Sequence, residues 1–351
     1  MNAISTDVAL DLPPESAGLW LLAWRRLRQD KVAIASLCVV GVFALLMLAS
    51  ITGLLAKNWN AEVAPSYASP AWHVVAAQQL ANSNNGIANP QAGPPVDISD
   101  IDPLAPRYQE WRERAAKIAS VTTEQATHLL FGADKWGHDV LAKTIKGSEV
   151  SISVGVLAAL LAVFVGTLLG ALAGYFGGAL DDMLEWFYNI FTSIPYVLLI
   201  LAVAAVFSRG FVTIVLILGL TCWTGVYRLV RAEYFKHSER AYVRAAQALG
   251  ASHASRMFKH ILPNISHVIL VQYSRYVVDA IKAEVILSFL GLGVPVDMVS
   301  WGTILAETQE EVVIGKWSQL LAAGGSMAIL VTAISMLTDA LRDALDPKLN
   351  D

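Results

Sequence analysis

The sequence predicts an all-α polytopic membrane protein with six transmembrane helices and a long external loop between the first two. Hydrophobic residues make up 55% of the 351 residues and charged residues only 15%, and the mean hydropathy is +0.52. Several apolar runs reach the length of about 20 residues that a helix needs to cross the hydrocarbon core of a bilayer. This composition is typical of integral membrane proteins. The net charge of −4 gives no basic footprint, so nucleic acid is not expected as a partner.

The N-terminal residues 1–31 are predicted to form a cytoplasmic, amphipathic segment. Tryptophans and leucines alternate there with Arg25, Arg26 and Arg28, a pattern typical of a helix lying among lipid headgroups. The same residues can instead be only the basic flank of the first span, and either interpretation places them in the cytoplasm. Residues 32–56 carry no charge and are predicted as that first span.

Residues 57–148 are predicted as an external loop, which is unusually long for a membrane protein. Its first part is rich in proline, asparagine and glycine, a composition that favours irregular structure. Residues 107–119 and 122–130 have helical patterns, so the loop is expected to hold a small folded cap.

Residues 149–348 are predicted as a membrane core of five further spans with a basic loop at residues 231–263. Gly166, Gly170 and Gly174 are spaced four apart, which lets helix backbones approach closely in a membrane. Pro195 lies inside the next span and is expected to kink it. The five predicted spans cover residues 150–175, 186–207, 211–227, 265–289 and 320–337.

The fifth span contains an unusual set of polar and charged residues, namely Gln272, Arg275, Asp279, Lys282 and Glu284. Residues three and four positions apart share a helix face, so these residues are expected to form one polar face. Charges at membrane depth are costly and usually face a bundle interior or a water-filled cavity. The face is predicted to line a translocation pathway, and the alternative is a structural network that neutralises itself.

The basic loop between the fourth and fifth spans is predicted to be cytoplasmic, because short loops with excess lysine and arginine lie on that side. Its alanines at positions 245, 246 and 248 favour a helix. Gly250 suits the left-handed turn that ends a helix, Ser252 can cap the next one, and Pro263 suits the first turn of a third. The loop therefore predicts a short helix, a sharp turn, a second short helix and entry into the fifth span.

This loop resembles the EAA loop of ABC-transporter membrane subunits, in which EAA is followed by three residues, glycine, nine residues and I-x-L-P. Ala245, Ala246 and Gly250, with Leu262-Pro263, carry the resemblance. The flanking residues are similar to the dipeptide, oligopeptide and nickel branch of these permeases. Further similar segments are residues 131–143, 174–178, 288–293, 300–302 and 341–347.

The sequence departs from the family pattern at two positions. Arg244 stands where the EAA pattern has glutamate, so any contact made by that acid is absent or reversed here. His138 replaces the usual arginine in the segment before the second span, so a role of that arginine does not carry over.

The resemblance implies a permease subunit of a bacterial ABC importer with cytoplasmic EAA coupling helices. Its partners would be a second homologous permease subunit, two P-loop ATPase subunits that hold ATP and magnesium, and an external substrate-binding protein. The long external loop would dock that binding protein or cover the external gate, or would be an insertion that only packs against neighbouring subunits. The residues implied to couple to the ATPases are Tyr242, Arg244, Ala245, Ala246, Gly250, Ala251, His260, Leu262 and Pro263.

The resemblance also implies transport of di- or oligopeptides across the bacterial inner membrane by alternating access, with both termini cytoplasmic. Nickel complexes or other small solutes are the alternative substrates. Selection of the substrate is expected to depend on another chain.

The motifs of a self-powered or catalytic protein are missing from the sequence. Gly315-Lys316 lacks both the preceding glycine and the following serine or threonine of a phosphate loop. We find no catalytic motif and no cysteine and histidine spacing typical of a metal site, so no catalytic residue, metal or cofactor is expected in this chain. A different class, a self-sufficient secondary transporter or channel, would show inverted repeats or a discontinuous helix pair.

Overall fold

The computed structural model of the chain describes residues 19–72, 107–117 and 129–345, and the elements in these ranges are helical. Two π-helical turns, Arg256–Ile261 and Leu320–Gly324, run directly into the long helices that follow them. The helices are α1 Leu19–Leu27, α2 Lys31–Ile51, α3 Tyr108–Lys117, α4 Val140–Phe176, α5 Gly178–Thr192, α6 Tyr196–Val206, α7 Phe211–Thr221, α8 Thr224–Ser238, α9 Ala241–Ala248, α10 His253–Ser255, α11 Leu262–Phe289, α12 Trp301–Val313 and α13 Gly325–Leu345.

Helix α4 is the central element, and it packs against α2, α7, α8, α11 and α12. It begins at Val140, ten residues before the predicted second span and inside the predicted external loop. The Asp139 carboxylate caps it by accepting a hydrogen bond from the Leu141 N–H at 2.9 Å. The charged residues in the first turns of α4 are typical of a loop in the sequence. In the structure, oppositely charged side chains neutralise them.

Glycines of α4 allow it to lie directly against α8. A Cβ atom on Gly166 would lie 2.7 Å from the Trp223 carbonyl oxygen, and one on Gly170 would lie 2.6 Å from that of Tyr227. Any larger residue would therefore push the two backbones apart. The predicted packing role of these glycines is confirmed.

The predicted third span, residues 186–207, is not one continuous helix. The structure has two helices there, α5 and α6, at 83° to each other. Helix α5 ends at Thr192, and Pro195 precedes α6 with φ −53° and ψ 126°. Proline removes a backbone donor and disfavours helical conformation at the residue before it. The helix is therefore interrupted at this point rather than kinked.

Length and composition support fewer spans than the six that were predicted. Within the described residues, three helical segments are long and apolar enough to cross a membrane, and up to five if each bent pair is one span. The bent pairs are α5 with α6 and α7 with α8, the latter at 42°. Helix α11 has the length, 28 residues, but it is not among these candidates.

The first span is shorter than predicted, because α2 ends at Ile51 rather than at residue 56. The Thr52 backbone N–H and hydroxyl both donate to the Leu48 carbonyl oxygen and close the last turn.

The part of the N-terminal segment that is described is the helix α1. Its Ala23 is buried against Ala344 and Leu345 of α13. Residues 1–18, and most of the predicted helical stretch 122–130, lie outside the described residues. Helix α3 lies within the predicted stretch 107–119.

Candidate functional site

The loop between α8 and α11 contains a short helix that ends in a sharp left-handed turn. After α9, Gly250 has φ +86°. Its N–H donates to the Gln247 carbonyl at 2.9 Å, and the Ala251 N–H donates to the Ala246 carbonyl at 3.0 Å. This pair of bonds is the Schellman motif, which requires a residue with positive φ at the position of Gly250.

The chain then turns back towards the membrane core. The Ser252 hydroxyl accepts a hydrogen bond from the Ser255 N–H at 3.3 Å and caps α10. Helix α10 continues through the turn Arg256–Ile261 into α11 without a break, and Pro263 lies in the first turn of α11. The segment from α10 to α11 is therefore one continuous helical arm that includes the charged face.

Helix α9 is anchored by one face and exposes the other. Val243 and Ala246 are buried, and Val243 packs with Met257 and Ile261 of the following turn. Leu249, directly after α9, is 89% exposed, and Phe258 in the turn Arg256–Ile261 is also exposed. Neither apolar residue was predicted from the sequence. Leu249 could have been found, because it follows Ala245 by four positions on the same helix face.

The predicted coupling residues are thus split between two environments. Ala246 faces the core, whereas Ala245, Gly250 and Pro263 are exposed and Ala251, His260 and Leu262 are half-buried. The Tyr242 hydroxyl lies 2.8 Å from Nδ1 of His237. Arg244 forms an ion pair with Glu239, and both side chains are exposed. An exposed pair of this kind contributes about 0–1 kcal/mol, so Arg244 can exchange it for another contact.

A groove of about 610 Å³ lies between α11 and the end of α13. Four of the five polar residues predicted to share a face line it, namely Gln272, Arg275, Asp279 and Lys282. Helix α13 adds polar and charged residues of both signs, namely Ser335, Thr338, Asp339 and Arg342. The groove therefore presents acidic and basic groups together, and it lies on the arm that continues from α10.

The ion pair of Asp279 in the groove is with Lys282. Oδ1 of Asp279 lies 3.8 Å from Nζ of Lys282, and both side chains are about half exposed. Such a pair is weak, so both groups are available to a ligand at small cost.

Glu284 does not line the groove, and its assignment to the polar face is wrong. Five residues beyond Asp279 amount to a rotation of about 140° around a helix with 3.6 residues per turn, so Glu284 lies on another face. It is 0% exposed. Its carboxylate accepts hydrogen bonds from the hydroxyls of Ser151 at 2.7 Å and Ser288 at 2.6 Å.

The contacts of Glu284 extend to the start of α12. The Ser151 hydroxyl also accepts a hydrogen bond from the Trp301 N–H at 3.1 Å. The indole Nε1–H of Trp301 donates to the Thr144 carbonyl at 3.1 Å. Glu284 thereby joins α4, α11 and α12.

A second buried charge network lies at the N-terminal end of α4. Nζ of Lys143 lies 2.7 Å from Asp134 and 2.6 Å from Glu307. Asp134 also accepts hydrogen bonds from the His138 backbone at 2.9 Å and from His138 Nδ1 at 3.0 Å. His138, which replaces the arginine of the family pattern, thus contacts Asp134. Lys143 is the cation that holds the two carboxylates together.

The charge of Asp134 is stabilised by these neighbours. Burial alone would raise the pKa of its carboxyl, but the charge and hydrogen bond of Lys143, with contributions from His138, lower that pKa below its ordinary value. Stability contributed by Asp134 is therefore present above its unfolded-state pKa of about 3.9. It is lost as the pH falls through the lowered folded-state value.

Replacing Lys143 with methionine is expected to lower the free energy of unfolding by about 3–5 kcal/mol, because two carboxylates lose their buried cation. Lys143 is only 2% exposed. The matched control is Lys146→Met, whose pair with Glu149 is partly exposed and contributes about 1 kcal/mol or less. Thermal unfolding of the purified variants in detergent measures the difference, and equal stability of the two variants would contradict this account.

The chain is similar to known transport proteins over most of its described length. Residues 166–351 match the family described as binding-protein-dependent transport system inner membrane component. Residues 18–70 match the N-terminal TM domain of oligopeptide transport permease C.

Individual relatives are similar over larger shares of the chain. The dipeptide transport system permease protein DppC of Bacillus subtilis is 31% identical over 93% of this chain and 85% of its own length. The oligopeptide transport system permease protein OppC of Bacillus subtilis is 33% identical over 70% of this chain and 80% of its own length. The oligopeptide transport system permease protein OppC of Escherichia coli K12 is 36% identical over 66% of this chain and 76% of its own length. A solved amino acid ABC transporter, with a TM-score of 0.43, is 15% identical over 56% of this chain and 91% of its own.

Proposed function

The chain belongs to the family of inner membrane components of binding-protein-dependent transport systems. We propose that it is a permease subunit of an ATP-driven peptide importer, corresponding to OppC and DppC. Di- and oligopeptides are the proposed substrates, because the similar permeases from Bacillus subtilis and Escherichia coli are named for their transport. Nickel or another small solute is the second candidate.

The observation that carries the proposal is the geometry of α9. Its buried face fixes it to the helical core, whereas Ala245 and the following Leu249 are exposed. Small and apolar groups on an exposed helix suit a groove on a soluble partner. We propose that this partner is one of two P-loop ATPase subunits, which bind ATP and magnesium, whereas this chain binds neither.

The complex we propose also contains a second homologous permease subunit and an external substrate-binding protein. Closure of the ATPase pair would displace α9, and the continuous arm from α10 into α11 would carry that displacement to the groove. The groove residues would then face alternate sides of the membrane in turn. Six spans with both termini in the cytoplasm are part of this proposal, with α11 counted as a span because its charges line the pathway.

The alternative of a self-sufficient secondary transporter gains one feature from the structure, since α5 with α6 and α7 with α8 are discontinuous helix pairs. The family match over residues 166–351 favours the importer.

The direct test is peptide uptake into proteoliposomes that contain the purified complex, with ATP supplied on the side of the ATPases. Uptake is expected only with ATP, magnesium and the binding protein all present. Uptake that follows an ion gradient and ignores ATP would refute the proposal.

The charged groove makes a separate prediction. Asp279→Asn and Lys282→Gln are each expected to reduce uptake about tenfold, as expected for the loss of one charged contact worth about 1.5 kcal/mol. The double variant is expected to remain impaired if these groups contact the substrate. Recovery of uptake in the double variant would show that the pair is only structural. Glu310→Gln, an exposed glutamate of α12, is the control for loss of a surface charge.

A further inference from the structure

Arg256 lies where the short helix α9, the α10 segment and the end of α4 meet. It belongs to the π-helical turn Arg256–Ile261 and is only 9% exposed. No role for it follows from the EAA pattern or from the groove. A buried arginine in an otherwise exposed loop requires a set of specific partners.

The guanidinium of Arg256 contacts all three elements. One terminal nitrogen donates to Oε1 of Gln247 in α9 at 2.7 Å. The other lies 3.1 Å from Nδ1 of His253 in α10. The guanidinium carbon lies 5.7 Å from the centre of the Tyr175 ring, near the end of α4. Arg256 therefore links α9 to α4 through contacts between side chains.

Arginine only donates hydrogen bonds, so a ring nitrogen of His253 accepts from the Arg256 guanidinium. The Tyr175 hydroxyl lies 3.1 Å from Nδ1 of the same imidazole. Ring contacts of His253 with Tyr175 and Phe176 close the junction.

The link provides a connection that the chain itself lacks. Along the backbone, α9 leads through the helical arm to α11, and it reaches α4 only through α8 and the helices before it. The contact of Arg256 with Tyr175 bypasses that route. Because α4 packs against α2, α7, α8, α11 and α12, a displacement of its end reaches most of the membrane core.

We infer that Arg256 is a positioning residue that fixes α9 to the end of α4, so that a movement of α9 displaces α4 together with α11. This inference rests on the proposed role of α9 in coupling. Lysine cannot replace arginine here, because an ammonium group lacks the planar fork that reaches Gln247 and His253 while stacking on Tyr175.

The test compares Arg256→Lys with the wild type in the reconstituted complex. The complex is expected to assemble and to hydrolyse ATP, while peptide transported per ATP hydrolysed falls about fivefold or more, the lower range of typical coupling between sites. Lys259→Gln, an exposed residue of the same turn, is the control and is expected to keep the wild-type ratio. An unchanged ratio in Arg256→Lys would overturn the inference.

A second variant keeps the test decisive if Arg256→Lys does not assemble. Tyr175→Leu removes the ring and hydroxyl from the α4 side without altering the loop, and the same fall in transport per ATP is expected. The double variant is expected to be no worse than either single variant, because both break one link. A wild-type ratio in Tyr175→Leu, or additive losses in the double variant, would overturn the inference. Failure of the proposed function would instead appear as absence of ATP-driven uptake in the wild type.

Discussion

Replacing Gly170 with leucine is expected to destabilise the protein by about 3 kcal/mol or more, at the upper end of what overpacking costs. A Cβ atom at this position would lie 2.6 Å from the Tyr227 carbonyl oxygen and 3.0 Å from the Arg231 backbone nitrogen. Both atoms belong to the backbone of α8 and cannot rotate away. The helices must separate, which opens the buried cluster of Val226, Val230 and their neighbours.

The measurement is the thermal unfolding temperature of the purified variant in detergent, together with the amount recovered from membranes. Gly41→Leu is the matched control, because a Cβ at Gly41 in α2 meets nothing within 4 Å. The control is expected to remain close to the wild type. A Gly170→Leu variant with wild-type unfolding temperature would show that α4 and α8 are not in close backbone contact.

Replacing Gly250 with proline is expected to reduce coupled uptake strongly while membrane insertion stays normal. Gly250 has φ +86°, whereas proline fixes φ near −65°, and proline also removes the N–H that donates to Gln247. The turn after α9 then cannot form, and its exposed face is reoriented. Uptake per ATP is expected to fall more than about tenfold, within the usual range of coupling free energies.

The control at the same position is Gly250→Asn. Asparagine tolerates the left-handed conformation, and a Cβ at Gly250 meets nothing within 4 Å, so most of the uptake is expected to remain. Uptake at the wild-type level in Gly250→Pro would refute the assignment of α9 as the coupling helix.

The local signals in the sequence were sufficient for much of the candidate site. The alanines and Gly250 predict the short helix and its turn, and both depend only on neighbouring residues. The spacing of Gln272, Arg275, Asp279 and Lys282 places them on one side of α11, where they line the groove. The glycine spacing in α4 likewise predicts a close helix contact.

Features that depend on distant partners could not be predicted in this way. From the sequence alone, Lys143 is assigned to a loop. Its role depends on the carboxylate of Glu307, which lies 164 positions away. The structural role of Glu284 depends on a hydrogen bond from Ser151, which lies 133 positions away. Helix geometry alone, however, already separates Glu284 from the face that carries Asp279. The contact of Arg256 could not be predicted either, because its partner Tyr175 lies on a different helix.

Purification from the native membrane shows whether this chain is one subunit of an ATP-driven importer. The complex is extracted in a mild detergent, and its components are identified and counted by native mass spectrometry. We expect a second homologous permease, two P-loop ATPase subunits and one copy of this chain. Recovery of this chain alone, or only with further copies of itself, would contradict the account and favour a self-sufficient transporter.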